Sequence, residues 1–141
     1  RASWLSASML PRWGSMTSVA WSEVTEAASI SSLDIGIMPL VDEPFERGKC
    51  GYKLIQYMAC GLPVVASPVG VNRQIVAHGV NGFLAETPAQ WEEALRILLE
   101  DAALRQRMGQ AGRRLVEEKY CLQVTGPRLA ELLISASGSL A

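Results

Sequence analysis

Histidine is almost absent from this 141-residue sequence, which has a single one, His78. Cysteine is also rare, and the spacing of Cys50, Cys60 and Cys121 matches neither a zinc ribbon nor a disulfide framework. We therefore expect reduced thiols in a cytosolic protein. Without a Gly-x-Ser-x-Gly motif or clustered ligands, a catalytic triad and a metal site are both disfavoured. For His78, a structural role at a helix end is favoured over catalysis.

An excess of charge of one sign is missing as well. The sequence has 13 Lys and Arg against 14 Asp and Glu, which gives a net charge of -1. Because these residues are interspersed, no broad basic field exists to attract nucleic acid or an anionic membrane. The longest weakly polar stretch, residues 60–71, contains two glycines and two prolines and is shorter than the roughly 20 residues of a membrane-spanning helix.

The length and composition are those of one globular domain. Hydrophobic residues make up 49% of the sequence, and a chain of this size can bury roughly two thirds of its unfolded surface. Residues 1–20 are irregular and lack the order of a signal peptide. We expect them to be the irregular start of a truncated chain, with a domain at residues 21–141.

Short apolar runs alternate with helical stripes in the first two thirds of the sequence. Strands are predicted at residues 34–40, 63–67 and 82–85, and helices at residues 52–60 and 71–78. This alternation predicts parallel strands joined by crossovers, an α/β fold. Residues 40–51 are expected to form a polar loop.

Three further helical segments flank or follow this region. Ser22 is predicted to cap a short helix whose apolar stripe includes Val24. Thr87 is predicted to cap a helix that begins at Pro88, and Asp101 opens a second one. Pro127 is expected to start or kink a final helix. These last helices are interpreted as packing elements, and the segment RQRMGQAGRR as a solvated basic face.

The segment from Gly48 to Gly51 leads into the helix that begins at Tyr52. A glycine-bearing loop at a helix N-terminus offers unpaired amides and the positive end of the helix dipole to an anion such as phosphate. Lys49 and Lys53 would add positive charge beside it. Glycines before a helix are common, so the pattern by itself favours a purely structural turn over a phosphate site.

Three segments, DIGIMPL, GKCGYKLIQYMACGLPVVASPVGVN and HGVNGFLA, together resemble the C-terminal domain of group 1, family 4-like, glycosyltransferases. The resemblance runs from about residue 21 to residue 133. It implies a GT-B fold, in which a Rossmann-like C-terminal domain with a parallel sheet flanked by helices holds a nucleoside-diphosphate sugar, linked to UDP or GDP. A separate N-terminal domain holds the acceptor, which is a glycan or a lipid-linked acceptor. No metal or cofactor is implied.

The resemblance also implies the site residues. Those that match the family's nucleotide-sugar site are Gly48, Lys49, Cys50, Gly51, Tyr52, Lys53 and Gln56, with the loop amides on the phosphates and Gln56 on the ribose. Relatives usually have glutamates at the positions of Gly48 and Gln56. Gln56 keeps an acceptor oxygen without the charge. Gly48 has no side chain to contact the sugar, and Lys49 or Glu46 are candidates to replace that contact. No catalytic residue is assigned.

Several expectations follow from the missing acceptor domain. We expect the isolated chain to be inactive, since leaving-group stabilisation requires groups outside it, and to self-associate through an open strand edge and exposed leucines of the last helix. In the full-length enzyme we expect glycan biosynthesis in the cytoplasm, either free or peripheral to the inner membrane. A non-catalytic nucleotide-binding or structural module is the first alternative, and a GT-B-like nucleotide-sugar epimerase the second.

Overall fold

The computed structural model describes residues 19, 20 and 22–138. The irregular start predicted for residues 1–20 therefore lies almost entirely outside the described residues. In chain order the elements are α1 (Glu26–Ser31), β1 (Gly36–Met38), α2 (Pro44–Arg47), α3 (Tyr52–Ala59), β2 (Val64–Ala66), α4 (Asn72–Ile75), β3 (Gly82–Leu84), α5 (Pro88–Glu100), α6 (Ala102–Lys119) and α7 (Leu122–Gly138).

The three strands form a parallel sheet in the order β1-β2-β3. In the register, Gly36 pairs with Val64, which pairs in turn with Gly82. Every strand is separated from the next by at least one helix, as parallel pairing requires. The predicted α/β alternation of strands and helices is confirmed.

The central strand β2 is buried on both faces, and its side chains alternate between them. Val64 and Ala66 pack with Leu54 and Met58 of α3. Val65 points to the other face, where its cluster contains Leu98 of α5. This two-sided burial explains why PVVAS is a continuous apolar run and not an alternating one.

Helix α3 lies close to its neighbours because glycines face it. A side-chain carbon at Gly36 would lie 2.5 Å from the ring of Tyr57, and one at Gly112 of α6 would lie 2.9 Å from Met58. Tyr57 is half-buried against β1. The reason is that Gly36 leaves room for the ring.

The predicted caps of α5 and α6 are confirmed. The Thr87 hydroxyl accepts a hydrogen bond from the Gln90 amide at 3.3 Å, and the Gln90 side chain accepts one from the Thr87 amide at 3.1 Å. Asp101 accepts one from the Leu104 amide at 2.8 Å. These bonds satisfy donors that the first turns leave unpaired.

The prediction for the first helix was wrong in its start and its buried face. Ser22 belongs to a turn in which its carbonyl accepts a bond from the Thr25 amide at 3.1 Å, and α1 begins only at Glu26. Val24 precedes the helix and is 93% exposed, whereas Ile30 is the buried residue.

Three other boundaries differ from prediction. The loop at residues 40–51 contains the one-turn helix α2, which begins at Pro44, a residue suited to a first helical turn. Helix α4 ends at Ile75, so His78 lies beyond it, in a bridge with Gly82. Helix α7 begins at Leu122 and runs through Pro127, which therefore does not start it. A kink at Pro127 stays a prediction.

The distal part of α7 carries exposed leucines, as expected. Leu129, Leu132 and Leu133 are exposed, and among the described residues β1 pairs with β2 alone. Self-association through these surfaces stays a prediction. Over residues 22–138, none of the helices combines the length and apolar character needed to cross a bilayer.

Candidate functional site

A crevice opens at the carboxyl ends of the three parallel strands, the edge where α/β sheets bind ligands. The loop after β1 leads through α2 to α3, and the loop after β2 leads to α4. A cavity of about 200 Å³ lies at this edge, and the residues that line it are Leu40, Val41, Asp42, Ser67, Pro68, Val69 and Glu86.

Ser67, the residue after β2, ties the loops of this edge together. Its hydroxyl accepts a hydrogen bond from the Leu40 amide at 2.9 Å, and its amide donates to the Met38 carbonyl at 3.1 Å. Its carbonyl accepts from the side-chain amide of Asn72 at 3.0 Å. Since Ser67 and Asn72 are both buried, these bonds hold the two loops in a fixed arrangement.

Gly51 occupies a position that admits no side chain. Its φ of 69° lies in the left-handed region. A side-chain carbon at Gly51 would overlap the Ile75 side chain and would lie 3.3 Å from Val71 and 3.5 Å from Asn72. The backbone before α3 is therefore packed directly against α4 and the residue preceding it.

The amides at the start of α3 are unpaired. The Gly51 carbonyl accepts from the amides of Leu54 and Ile55, and the amides of Gly48 and Lys49 donate to carbonyls of α2. In contrast, within the described part of the chain the amides of Gly51, Tyr52 and Lys53 have no hydrogen-bond partner. Together with the dipole of α3, three unpaired donors of this kind are suited to an anion.

The two lysines beside these amides are each engaged with a carboxylate. The Lys53 ammonium lies 2.9 Å from Glu26 of α1. The Lys49 ammonium lies 3.9 Å from Glu46 and 5.4 Å from the centre of the Phe45 ring. The pairs are partly exposed, so the cost of separating them is small.

Two side-chain oxygens near the loop lack partners. Gln56 Oε1 and Glu46 Oε2 are shielded from solvent, and neither has a hydrogen-bond partner in the part of the chain that the structure describes. Buried acceptors of this kind are normally satisfied. Each oxygen therefore has an unused capacity to accept a hydrogen bond.

The remaining predicted site residues lie on the surface of the same loop. Gly48 ends α2 with a φ of -79°, and its Cβ direction is open apart from ordinary contacts with carbonyls of α2. Cys50 is an exposed thiol, and Tyr52 is 60% exposed. The structure thus brings the predicted residues onto one loop and one helix, with Gly51 buried between exposed neighbours.

An exposed ion pair lies at the mouth of the crevice. Arg47 Nε donates to Asp42 Oδ1 at 2.7 Å. This hydrogen bond, followed by the charges of Arg47 and Arg73, holds the pKa of the Asp42 carboxyl below its usual value, although some desolvation opposes the shift.

His78 has a structural role. Its Nδ1 accepts a hydrogen bond from the Leu84 amide at 3.1 Å, and its ring lies edge-on to Phe83 with 5.3 Å between ring centres. Among the described residues no group of three His, Cys, Asp or Glu side chains could hold a metal ion.

Sequence reasoning missed the contribution of Ser67 and Asn72. The bond of the Ser67 hydroxyl joins two separate loops and spans 27 residues, whereas the bond of its carbonyl to Asn72 lies within one segment and spans five. The sequence feature that could have indicated their role is that Ser67 and Asn72 are the two polar residues of an otherwise apolar segment, residues 62–72.

Comparison with known proteins adds an independent line of evidence. Residues 16–101 match the family model for glycosyl transferases group 1. The chain is 36% identical over 87 residues to D-inositol 3-phosphate glycosyltransferase of Pseudarthrobacter chlorophenolicus, a match that covers 60% of this chain and 20% of that protein. The chain thus spans about a fifth of the length of the curated relatives it matches.

Two solved structures share the fold. The C-terminal domain of the glycosyl transferase group 1 family protein LpcC from Francisella tularensis has a TM-score of 0.58 and 29% identity, over 74% of this chain and 52% of that one. Anabaena HepE in complex with UDP-glucose has a TM-score of 0.63 and 25% identity, over 76% and 29%. The parallel sheet and its helices therefore correspond to part of a GT-B fold, and the chain belongs to the group 1 glycosyltransferase family.

Proposed function

We propose that the chain forms the nucleotide-sugar-binding part of a glycosyltransferase. In the whole protein, it would hold a nucleoside-diphosphate sugar while the sugar is transferred to a glycan or lipid-linked acceptor in glycan biosynthesis. The observation that carries the proposal is the set of unpaired amides at Gly51, Tyr52 and Lys53, at the carboxyl edge of the sheet. HepE, a structural neighbour, was crystallised with UDP-glucose.

The roles proposed for the residues follow from their chemistry. The three amides would donate to the diphosphate oxygens, and Gly51 would let the backbone approach them because it has no side chain. As the sugar leaves, negative charge grows on the diphosphate, and fixed donors stabilise this charge without reorganising. The helix dipole of α3 acts in the same direction.

The neighbouring side chains would complete the site. The shielded Oε1 of Gln56 would accept a hydrogen bond from a ribose hydroxyl. The ammonium groups of Lys49 and Lys53 would leave their carboxylate partners and move toward the phosphates, an exchange of one weak pair for another. Gly48, Cys50 and Tyr52 would line the sugar and diphosphate with backbone and exposed side chains.

The acceptor would bind to a part of the whole protein outside this chain, so the 141 residues alone would bind nucleotide without transferring sugar. We place the whole enzyme in the cytoplasm, free or peripheral to the inner membrane. A non-catalytic nucleotide-binding module is the second candidate, and it shares the amide site. Transfer in the full-length protein distinguishes the two.

Calorimetric titration with UDP, GDP, UDP-glucose and GDP-mannose tests the proposal. We expect at least one diphosphate to bind, with about tenfold weaker binding in Lys53→Ala and complete loss in Gly51→Val, because charge-assisted contacts and backbone access are removed. Gly79→Val is the control for backbone strain alone, since Gly79 has a φ of 79° and open space around it, and thermal melts check that Gly51→Val still folds. Absence of binding by all four ligands at millimolar concentration would refute the proposed site.

A further inference from the structure

Strand β3 forms one edge of the sheet, because among the described residues it pairs with β2 alone. Along a strand of a parallel sheet, alternate residues direct their backbone groups to opposite sides. The Ala85 amide points inward and donates to the Ala66 carbonyl at 2.9 Å. The Gly82 carbonyl and the Leu84 amide point outward, to the side on which a further strand could pair.

The turn before β3 occupies both of these outward groups. The Gly79 amide donates to the Gly82 carbonyl at 2.8 Å. The Leu84 amide donates to Nδ1 of His78 at 3.1 Å. In a parallel ladder, a single residue of a neighbouring strand would make both bonds, one through its amide and one through its carbonyl. Here an imidazole nitrogen takes the place of that carbonyl, so a turn closes the edge of β3.

The bond from Leu84 fixes the protonation state of the His78 ring. Because a backbone amide donates to Nδ1, this nitrogen carries no proton, and the neutral ring holds its proton on Nε2. In an imidazolium both nitrogens are donors, so the charged ring cannot accept the bond. His78 is exposed and is the only histidine of the sequence. Its ring is therefore the side chain suited to change charge between about pH 5 and 8.

The other charged group near the ring comes from helix α5. His78 and Glu93 line one cavity of about 430 Å³, and the residues that β3 contributes to it, Phe83 and Leu84, are apolar. The Glu93 carboxylate lies 2.8 Å from the Arg96 guanidinium, and their hydrogen bond holds the pKa of Glu93 below its usual value. Glu93 therefore stays ionised when His78 changes its charge.

The turn itself is held by bonds that do not involve the ring. The side-chain oxygen of Asn81 accepts from the Ala77 amide at 2.9 Å, and its side-chain amide donates to the Ile75 carbonyl at 3.1 Å. Asn81 is buried. The loss of the His78 bond therefore frees one backbone amide and leaves the shape of the turn in place.

We propose that the His78 ring is an acid-sensitive latch on the outer edge of β3. The neutral ring occupies the Leu84 amide, so that this amide is not offered to another strand. Protonation removes the acceptor and opens the latch, which leaves the amide to water or to another chain. This inference is independent of the proposed nucleotide site.

Amide hydrogen exchange in the 141-residue chain tests the latch. The protection factor of Leu84, which corrects for the effect of pH on the intrinsic exchange rate, is measured by NMR at about pH 7.5 and about pH 5.5. We expect it to fall about tenfold at the lower pH, the scale of one lost hydrogen bond. The protection factor of Ala85 should change less than about twofold, because its amide bonds to β2.

Two variants separate the acceptor from the ring. His78→Asn keeps an acceptor oxygen at the position of Nδ1 but cannot be protonated, so Leu84 should stay protected at both pH values. His78→Phe keeps a ring beside Phe83 but has no acceptor, so protection should be low at both. Thermal melts check that the variants fold. The latch is refuted if the parent chain shows the same Leu84 protection at both pH values, or if His78→Asn responds to pH as the parent does.

Discussion

Gly70 packs against the carbonyl oxygen of Arg47: a side-chain carbon at this glycine would lie 2.6 Å from that oxygen. The contact joins the loop after β2 to the end of α2, which are separated in the sequence but adjacent at the carboxyl edge of the sheet. The backbone of Gly70, with a φ of 53°, is also in the left-handed region.

Gly70→Ala should therefore destabilise the protein for two reasons, whereas Gly79→Ala should do so for one. Both glycines have positive φ, which costs a residue with a side chain about 1 kcal/mol. Gly79 has open space, so the strain is its whole penalty, while the clash with Arg47 should add about 1–3 kcal/mol at Gly70. Urea unfolding measures the free energy of unfolding of both variants. Equal decreases in the two variants would contradict the importance of the contact with Arg47.

A double-mutant cycle tests the contact between Gly51 and Ile75. Gly51→Ala should be strongly destabilising, because the added carbon overlaps the Ile75 Cδ1 atom. Ile75→Val removes that atom and by itself costs about 1 kcal/mol. The double variant should therefore be about 1 kcal/mol more stable than the sum of the two changes predicts. Strict additivity in urea unfolding would show that the overlap is relieved elsewhere.

Glu26→Gln should strengthen nucleotide binding. In the structure Glu26 holds the Lys53 ammonium at 2.9 Å, and weakening this partly exposed pair makes the ammonium more available to phosphate. The expected gain in UDP affinity is about two- to fivefold, the scale of exposed ion pairs. Glu23→Gln, an exposed carboxylate in the turn before α1, should leave the affinity unchanged. Unchanged or weaker binding in Glu26→Gln would place Lys53 away from the phosphates.

The Asp42 carboxyl should titrate below its usual pKa, chiefly because of its hydrogen bond with Arg47. Because the Asp42 pKa is lower in the folded state than in the unfolded state, ionisation of this carboxyl stabilises the folded protein. This stabilisation is complete at pH values above the unfolded-state pKa and is lost as the pH falls through the folded-state pKa. Arg47→Gln should raise the Asp42 pKa toward its ordinary value of about 3.9, and Arg73→Gln should raise it less. Carboxyl carbon shifts in NMR titrations measure both, and a larger effect of Arg73 would contradict the assignment.

The sequence predicted those features that depend on local periodicity. The apolar stripe with Leu54 and Met58 predicted α3, and both residues are buried in the core. The apolar run PVVAS predicted a strand, and every residue of β2 is buried. Thr87 and Asp101 were predicted as caps because capping depends on residues three positions apart.

Features that depend on contacts between distant segments could not be predicted in this way. The orientation of Tyr57 depends on Gly36, which lies 21 positions earlier, and the position of Leu40 depends on Ser67. The buried face of α1 was misassigned because the segment contains several small residues, and a turn at Ser22 shifts the start of the helix. The unpaired oxygen of Glu46 likewise emerges only from three-dimensional burial.

Helix α3 is held by Leu54 and Met58, which are both buried in the core, and by further contacts of its last turn. Tyr57 lies against Gly36, Met58 against Gly112, and the Ala59 carbonyl accepts a bond from Arg113. The first turn sets exposed Tyr52 and Lys53 beside the buried Leu54. Core anchorage and solvent exposure thus meet within a single turn, so evolution can vary the two exposed positions with little penalty to folding.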